Sequence, residues 1–325
     1  MELSTANLKT LDRLNDPRPD NMATSVLVIG AGELGLSALT ALSKHPKRSQ
    51  ARIGVLLRQA TLDTAAPDKK KKLNLLESWG VHFEAADVEQ ASTEQLAGVL
   101  GRYHTVVSCT GMELPSGTQT KLVHAAVEGG VKRYFPWQFG MDYDLIGEGS
   151  SQDLFDEQLG VRKVLRGQDK MDWVIVSTGL FMSFLFVAAF GVVDLDEKVI
   201  RGLGSWDNKI TVTTPEDIGR VTADLILHAG DVEKQVVFTA GDTVSYGKIA
   251  DLVEARFGKD VFTRELWDRD ALKKQMEEDA TVLVKYRDTF AQGVGVAWDK
   301  DVTVNEKRGI RLTGLKEYLD KLPDL

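Results

Sequence analysis

Short apolar runs separated by stretches of helical composition dominate the first half of the chain. Ser25–Gly30 (SVLVIG), Arg52–Leu57 (RIGVLL) and Thr105–Ser108 (TVVS) are rich in valine, leucine and isoleucine, the pattern of strands buried on both faces. Val81–Val88 alternates, Arg133–Phe139 is largely apolar, and Asp172–Ser177 (DWVIVS) completes the series. Between these runs, Leu34–Ser43, Lys70–Gly80, Thr118–Glu128 and Gln152–Arg166 read as helices, the second stopped by its glycine. Strands alternating with helices of this length predict βαβ units, hence an α/β fold with a Rossmann-type, doubly wound parallel sheet.

Past residue 190 the rhythm loosens. Thr213-Thr214-Pro215-Glu216-Asp217 has a hydroxyl cap, proline at the first helical position and then acids, so a helix is expected to run to about His228. A strand over Gln235–Ala240, a helix over Ser245–Phe257 stopped by Gly258, and a charged helix over Asp268–Phe290 broken once should follow. The expected organisation is an N-terminal arm at 1–22, a nucleotide-binding domain at 23–180, and a smaller α+β part at 181–325 whose strands can return to the main sheet. Trp173–Val193 carries no charge, but Ser177, Thr178, Gly179, Ser183 and Gly191 interrupt it and Asp172 and Asp194 bracket it. It reads as a buried strand with an apolar continuation rather than a membrane span.

Composition narrows the function classes. In 325 residues, 40 basic against 48 acidic side chains leave a charge of −8, which argues against broad binding to nucleic acid or anionic membrane. Hydrophobic residues at 43% exclude a disordered or fibrous chain. Cys109 is the sole cysteine, so neither an internal disulfide nor a thiolate-rich metal site can form. The first twenty residues lack the basic start and apolar run of a secretory signal, and a cytoplasmic enzyme or regulator is expected. The five histidines show no ligand spacing, and no metal is expected. There is no G-x-S-x-G elbow, and none of the six tyrosines has a lysine four residues on.

Gly30-Ala31-Gly32-Glu33-Leu34-Gly35 is a G-x-G-x-x-G between the first strand and the first helix. The first glycine permits the tight turn, the second lets backbone approach a pyrophosphate, and the third lets helix pack on sheet. At the end of the second strand, where an NAD enzyme carries an acid, stands Arg58, suited to a 2′-phosphate. One or more of Lys69–Lys72, with Lys71 as the candidate, could close on the same phosphate. Further cofactor-binding candidates follow the later strands, where ligands of open α/β sheets bind: Thr110 and Gly111, Gln138, Gly179 and Phe181.

With these features the chain resembles the NmrA-like and isoflavone-reductase-like branch of atypical short-chain dehydrogenases, most closely its fungal members. The resemblance runs from Val26 to the Leu312–Leu319 segment. It is carried by the glycine loop, Arg58, Val131–Gly140 (VKRYFPWQFG), Phe155–Arg162 (FDEQLGVR), Ser177–Phe181 (STGLF) and Thr213–Gly219 (TTPEDIG). It implies NADP(H) in the N-terminal domain and a substrate cleft lined by the C-terminal part, and it allows a homodimer. The chain departs from it in three places. The glycine loop is one residue shorter, and Pro136-Trp137-Gln138-Phe139-Gly140 replaces a Pro-Ser-Glu-Phe-Gly. The reductases' proton-transferring lysine, four residues before the arginine of a Val-Arg pair, is here Gln158, ahead of Arg162.

Glutamine can hydrogen-bond a carbonyl but cannot donate or take a proton near neutral pH. The catalytic candidates implied are therefore Gln158, Tyr143 and Arg162, with Lys163 as another group able to neutralise a developing alkoxide. Phe181, Met182, Phe184, Leu185, Phe186 and Phe190 serve either as an aromatic wall to the cleft or as core packing. The leading expectation is an NADPH-dependent reductase of a carbonyl or conjugated double bond in an aromatic small molecule, phenolic or polyketide-like, which such a wall would suit. The alternatives are a catalytically silent NADP(H)-binding regulator with a protein partner, and a non-redox isomerase or cyclase in the same cleft.

Overall fold

The computed structural model describes residues 24–325 apart from 229 and 231, so the expected arm at 1–22 lies outside the described residues. The strands are β1 (Thr24–Ile29), β2 (Ala51–Leu57), β3 (His82–Ala85), β4 (Thr105–Ser108), β5 (Arg133–Phe135), β6 (Asp172–Ser177), β7 (Leu180–Phe181), β8 (Val193–Asp194), β9 (Val199–Leu203), β10 (Lys209–Thr213), β11 (Gln235–Phe238), β12 (Asp242–Ser245) and β13 (Thr263–Trp267). Seven of them form one sheet in the order β11-β6-β5-β4-β1-β2-β3, every pair parallel. The order reverses between β1 and β4, the switch point of a doubly wound fold. Two three-stranded sheets, β12-β10-β7 and β13-β9-β8, belong to the C-terminal region.

Numbering only the longer helices and the last one, α1 is Glu33–Lys44, α2 Pro67–Ser78, α3 Thr93–Leu100, α4 Thr118–Glu128, α5 Leu154–Arg166, α6 Pro215–Leu227, α7 Tyr246–Phe257, α8 Arg269–Glu278, α9 Val282–Ala291 and α10 Leu315–Leu319. α1 and α6 bury Leu39, Leu42, Ile218 and Leu225 on one face of the main sheet. α3, α4 and α5 bury Leu96, Leu122 and Leu165 on the other. A separate core around Phe155, Phe190, Tyr246 and Phe290 holds the C-terminal region together. The loosely patterned residues after 190 therefore do two things: they build that core, and through α6 and β11 they complete the main sheet.

The expected elements mostly form, with boundary differences that have local causes. The apolar run from Arg133 ends as a strand at Phe135, because Pro136 has no N–H to continue the ladder. The helix expected from Lys70 starts earlier, with Pro67 at its first position. Asp268–Phe290 breaks at Asp279–Thr281, and the Thr281 hydroxyl caps the second piece. The Trp173–Val193 tract is β6, β7 and a 3-10 turn over Met182–Phe186, and no helix of the described residues is long and apolar enough to cross a membrane. Helix α3 is additional to the expected elements, and a capping box between Ser92 and Gln95 starts it.

The histidines are less scattered in space than in sequence. His45 follows α1 and His228 follows α6, and their rings meet edge to face at 5.2 Å beside Asp224. His45 Nδ1 accepts the Lys47 N–H, so a neutral ring carries its hydrogen on Nε2, and Asp224 is already shared by His228 and Arg308. The cluster is thus committed to internal bonds. Burial foremost, then His228, pushes the His45 pKa below its ordinary 6.5, against the pull of Asp224. Burial and then Arg133 do the same to His104. With folded values below 6.5, the unfolded chain binds more protons in that interval. Stability should be complete above pH 6.5 and fall as the pH drops through the folded values. Urea unfolding between pH 8 and pH 5 should show this loss, and the double variant His45→Asn/His104→Asn should flatten it; an unchanged slope would refute the assignment.

Candidate active site

The glycine loop leaves β1 and enters α1. Gly30 has φ +88°, in the left-handed region, and donates its N–H to Leu56 O at 3.0 Å, which fixes the turn beside β2. A Cβ on Gly35 would lie 2.1 Å from the Gly30 carbonyl oxygen, so the helix approaches the strand's exit only because that side chain is missing. Gly32 differs from both. Its backbone is ordinary and a Cβ there would meet nothing within 4 Å. The protein's own packing gives no reason for a glycine at 32, whereas a phosphate pressed onto the helix N-terminus does. Leu34 turns its side chain into the core, so only its backbone N–H remains for a ligand. Glu33 accepts the Ser183 hydroxyl at 3.1 Å, which ties the 3-10 turn after β7 to the mouth of the loop.

Beside the loop lies a cleft of about 470 Å³, lined by Gly30, Gly32, Leu57, Arg58, Lys69 and Lys72, and also by Asp87 and Glu89. The exposed Arg58 guanidinium makes no hydrogen bond or ion pair within the described residues. Lys72 reaches across and donates to Ala31 O at 3.3 Å. The lysine assignment needs correction: Lys69 and Lys72, three apart and on one helical face, line the cleft, whereas Lys71 is turned away from it. Sequence reasoning also passed over Thr61, Asp87 and Glu89; the end of the third strand was the available signal for the last two.

Thr110 lines the cleft as well, its carbonyl held by the Gln119 amide at 2.8 Å. Gly111 and Gly179 are accounted for by packing. A Cβ on Gly111 would enter the Trp137 indole at 2.1 Å; one on Gly179, at φ +70°, would lie 2.1 Å from Thr211 O. Phe181 packs half-buried against the core under α1. Of the apolar tract that follows, Met182, Leu185 and Phe190 are core, and Phe186 stacks on Tyr318 at 5.6 Å.

Past the carboxyl ends of β5 and β6, the catalytic candidates gather around Gln138. The Gln138 side chain is engaged at both ends: Nε2 donates to Gln158 O at 2.9 Å and Oε1 accepts from Arg162 Nε at 2.8 Å. It is therefore a strut rather than a free cofactor ligand. Arg162 is fully buried and pairs with Asp144 at 2.7 Å, not with Asp156 or Glu157. Glu157 instead accepts the amides of Gln119 and Thr120 at the start of α4. Asp144 is also gripped by Arg166, whose hydrogen bond foremost holds its carboxyl down to about 2. Tyr143 is buried, packed on Phe155 at 4.6 Å with the Arg162 guanidinium 5.1 Å from its ring, and burial pushes its phenol up to about 12. Its hydroxyl fills the place beside Gly140, where a Cβ would sit 2.3 Å away. Lys163 is exposed and paired with Glu148, away from this cluster. The Gln158 side chain is buried and neither end of its amide has a partner.

The NmrA-like family model matches residues 22–319. This chain belongs to the NmrA-like family. An NmrA-like family domain-containing oxidoreductase of Gibberella moniliformis is 57% identical over 298 residues, covering 92% of this chain and 98% of that protein. An isoflavone reductase homolog of Zea mays is 27% identical over 92% of this chain and 98% of its own length. Among solved structures, isoflavone reductase superposes with a TM-score of 0.74 at 20% identity, over 92% of this chain and 99% of that one. The NADPH-dependent quinone oxidoreductase QOR2 of Escherichia coli gives 0.69 at 21%, over 90% and 98%. At such identities these structures speak for the fold alone.

Proposed function

We propose that this NmrA-like protein is an NADPH-dependent reductase of a carbonyl or conjugated double bond in an aromatic small molecule. One observation carries the cofactor choice: the unpartnered Arg58 guanidinium lines one cleft with Lys69, Lys72 and the glycine loop. Arg58 at the end of β2, with Lys69 and Lys72 of α2 beside it, suits a 2′-phosphate and stands where an NAD enzyme carries its acid. Gly30, Gly32 and the backbone N–H groups of Glu33 and Leu34 would hold the pyrophosphate, and Asp87 and Glu89 would face the base. Bound there, NADPH supplies a hydride. The structural neighbours named as NADPH complexes, leucoanthocyanidin reductase and QOR2, support this reading.

A second reading, an NADP(H)-sensing regulator, draws support from the chemistry at Gln158. That position takes the place of the reductases' lysine and carries no titratable proton. Titration of the tryptophan fluorescence with NADPH, NADP⁺ and NADH separates the two. The reductase reading expects NADPH to bind well above NADH, and Arg58→Ala to weaken it by about 10–100-fold, the loss of a bidentate charge-assisted contact. Preference for NADP⁺ would favour the regulator, and no binding at all would end both.

A further inference from the structure

Glu33 is the first residue of α1 and follows directly on the glycine that a pyrophosphate would press upon. Gly30, Ala31 and Gly32 line the cleft beside Arg58, whereas the Glu33 carboxylate is turned to the Ser183 hydroxyl at 3.1 Å. A second acid stands on that side. Burial foremost, then the Glu216 and Glu33 carboxylates, push the Tyr318 phenol pKa above its ordinary value, so both acids lie within electrostatic reach of that ring.

An acid at this position works against an anion site. The first turn of α1 carries no side-chain cap, and the helix dipole draws any nearby anion onto its free amides. The Glu33 carboxylate is such an anion, carried by the first turn itself. Glu216, on the same side as Tyr318, makes that side less favourable for a second acid. Left to itself, Glu33 would fold back onto the amides, occupy them and repel the doubly charged pyrophosphate. Ser183 opposes this from a rigid support. It belongs to the 3-10 turn Met182–Phe186, in which Met182 and Leu185 are fully buried. Phe184 packs on Phe190 at 4.9 Å and Phe186 stacks on Tyr318 at 5.6 Å, so the turn is anchored on both sides of the serine.

We propose that Ser183 is a positioning residue for the cofactor: its hydroxyl holds the Glu33 carboxylate off the N-terminus of α1, which keeps the amides there open to the pyrophosphate. The proposal rests on the NADPH reading and adds to it a side chain from the C-terminal region, 150 positions further along the chain than the acid it restrains. Ser183 touches neither cofactor nor substrate in this role. It acts through Glu33, and the quantity it controls is local charge rather than packing.

The test titrates the full chain, Ser183→Ala, Glu33→Gln and the double variant with NADPH and with adenosine 2′-monophosphate, followed by tryptophan fluorescence. At low salt Ser183→Ala should bind NADPH about 3–10-fold more weakly, the loss of one hydrogen bond to a charged group at an exposed rim. Adenosine 2′-monophosphate fills the Arg58 end of the cleft and has no pyrophosphate. Its affinity should be the same for Ser183→Ala and the wild type, which also shows that the variant is folded. Glu33→Gln should bind NADPH more tightly than the wild type, and adding it to Ser183→Ala should reverse the loss. Raising NaCl from about 0.05 M to about 0.5 M should shrink the ratio between wild type and Ser183→Ala, because screening weakens the competing charge. Ser183→Ala binding NADPH as the wild type does would overturn the proposal. A loss that persists in the double variant, or that is equal for the two ligands, would overturn it as well, by making Ser183 a packing residue. Failure of the wild type to bind NADPH would overturn the cofactor reading and this proposal with it.

Discussion

Gly35→Ala is expected to destabilise the protein by about 2–3 kcal/mol, while Gly32→Ala, three residues away, leaves it folded but unable to bind its dinucleotide well. The first methyl group would land 2.1 Å from the Gly30 carbonyl oxygen, a backbone atom fixed in the turn by the Gly30–Leu56 hydrogen bond. Overpacking a rigid interior costs about 1–3 kcal/mol, more where neither partner can rotate away. The gain of about 1 kcal/mol in helix propensity from alanine offsets part of that. The second methyl group would meet no protein atom within 4 Å. Its structural cost is a poorer N-cap, about 0.5–1 kcal/mol. Its binding cost should reach tenfold or more, because the methyl occupies the space through which backbone meets phosphate. Urea unfolding and an NADPH titration of both variants decide the matter. Equal binding losses without a difference in stability would show that the loop relaxes and that Gly35 is no packing contact.

Arg133→Met should be the second large effect, with no direct bearing on the ligand. Arg133 is buried between the sheet and the turn after α6: Nε faces Asp172 at 2.9 Å, Nη1 donates to Leu225 O at 3.1 Å and Nη2 to Val232 O at 2.6 Å. Methionine fills much of the volume but leaves two carbonyls and a carboxylate without their cation. Breaking one side of a buried ion pair costs about 3–5 kcal/mol. The urea midpoint should fall accordingly, with NADPH binding retained by the fraction still folded. A loss below about 1 kcal/mol would mean that water reaches the carbonyls as α6 ends.

The local layer of this architecture was legible in the chain. Apolar runs of four to seven residues, the glycine loop and the Thr214-Pro215 helix start depend on neighbours in sequence, and they appear where composition places them. What required the fold was contact between distant positions. Nothing near Gly111 announces that Trp137 will lie on it, and nothing near Arg162 says that Asp144 will outcompete Glu157. Glu157 lies on the same helix as Arg162, but α4 claims it for its own free amides. The choice of Lys71 over Lys69 and Lys72 was a matter of helical phase, which a run of four lysines hides. His45 and His228 meet only because α1 and α6 lie side by side on the sheet.

The chain's late return to the main sheet has a wider consequence. β11 pairs with β6 only after an excursion through β7 to β10, and α6 covers the same face as α1. The nucleotide half and the part beyond it are therefore woven together rather than strung in series. A fragment cut after residue 180 would keep the glycine loop and Arg58 but present β6 as a bare edge and α1 with an uncovered flank. Recombination between relatives cannot swap the two parts as cassettes. A new specificity has to be grown in place, by changing side chains within one interwoven body.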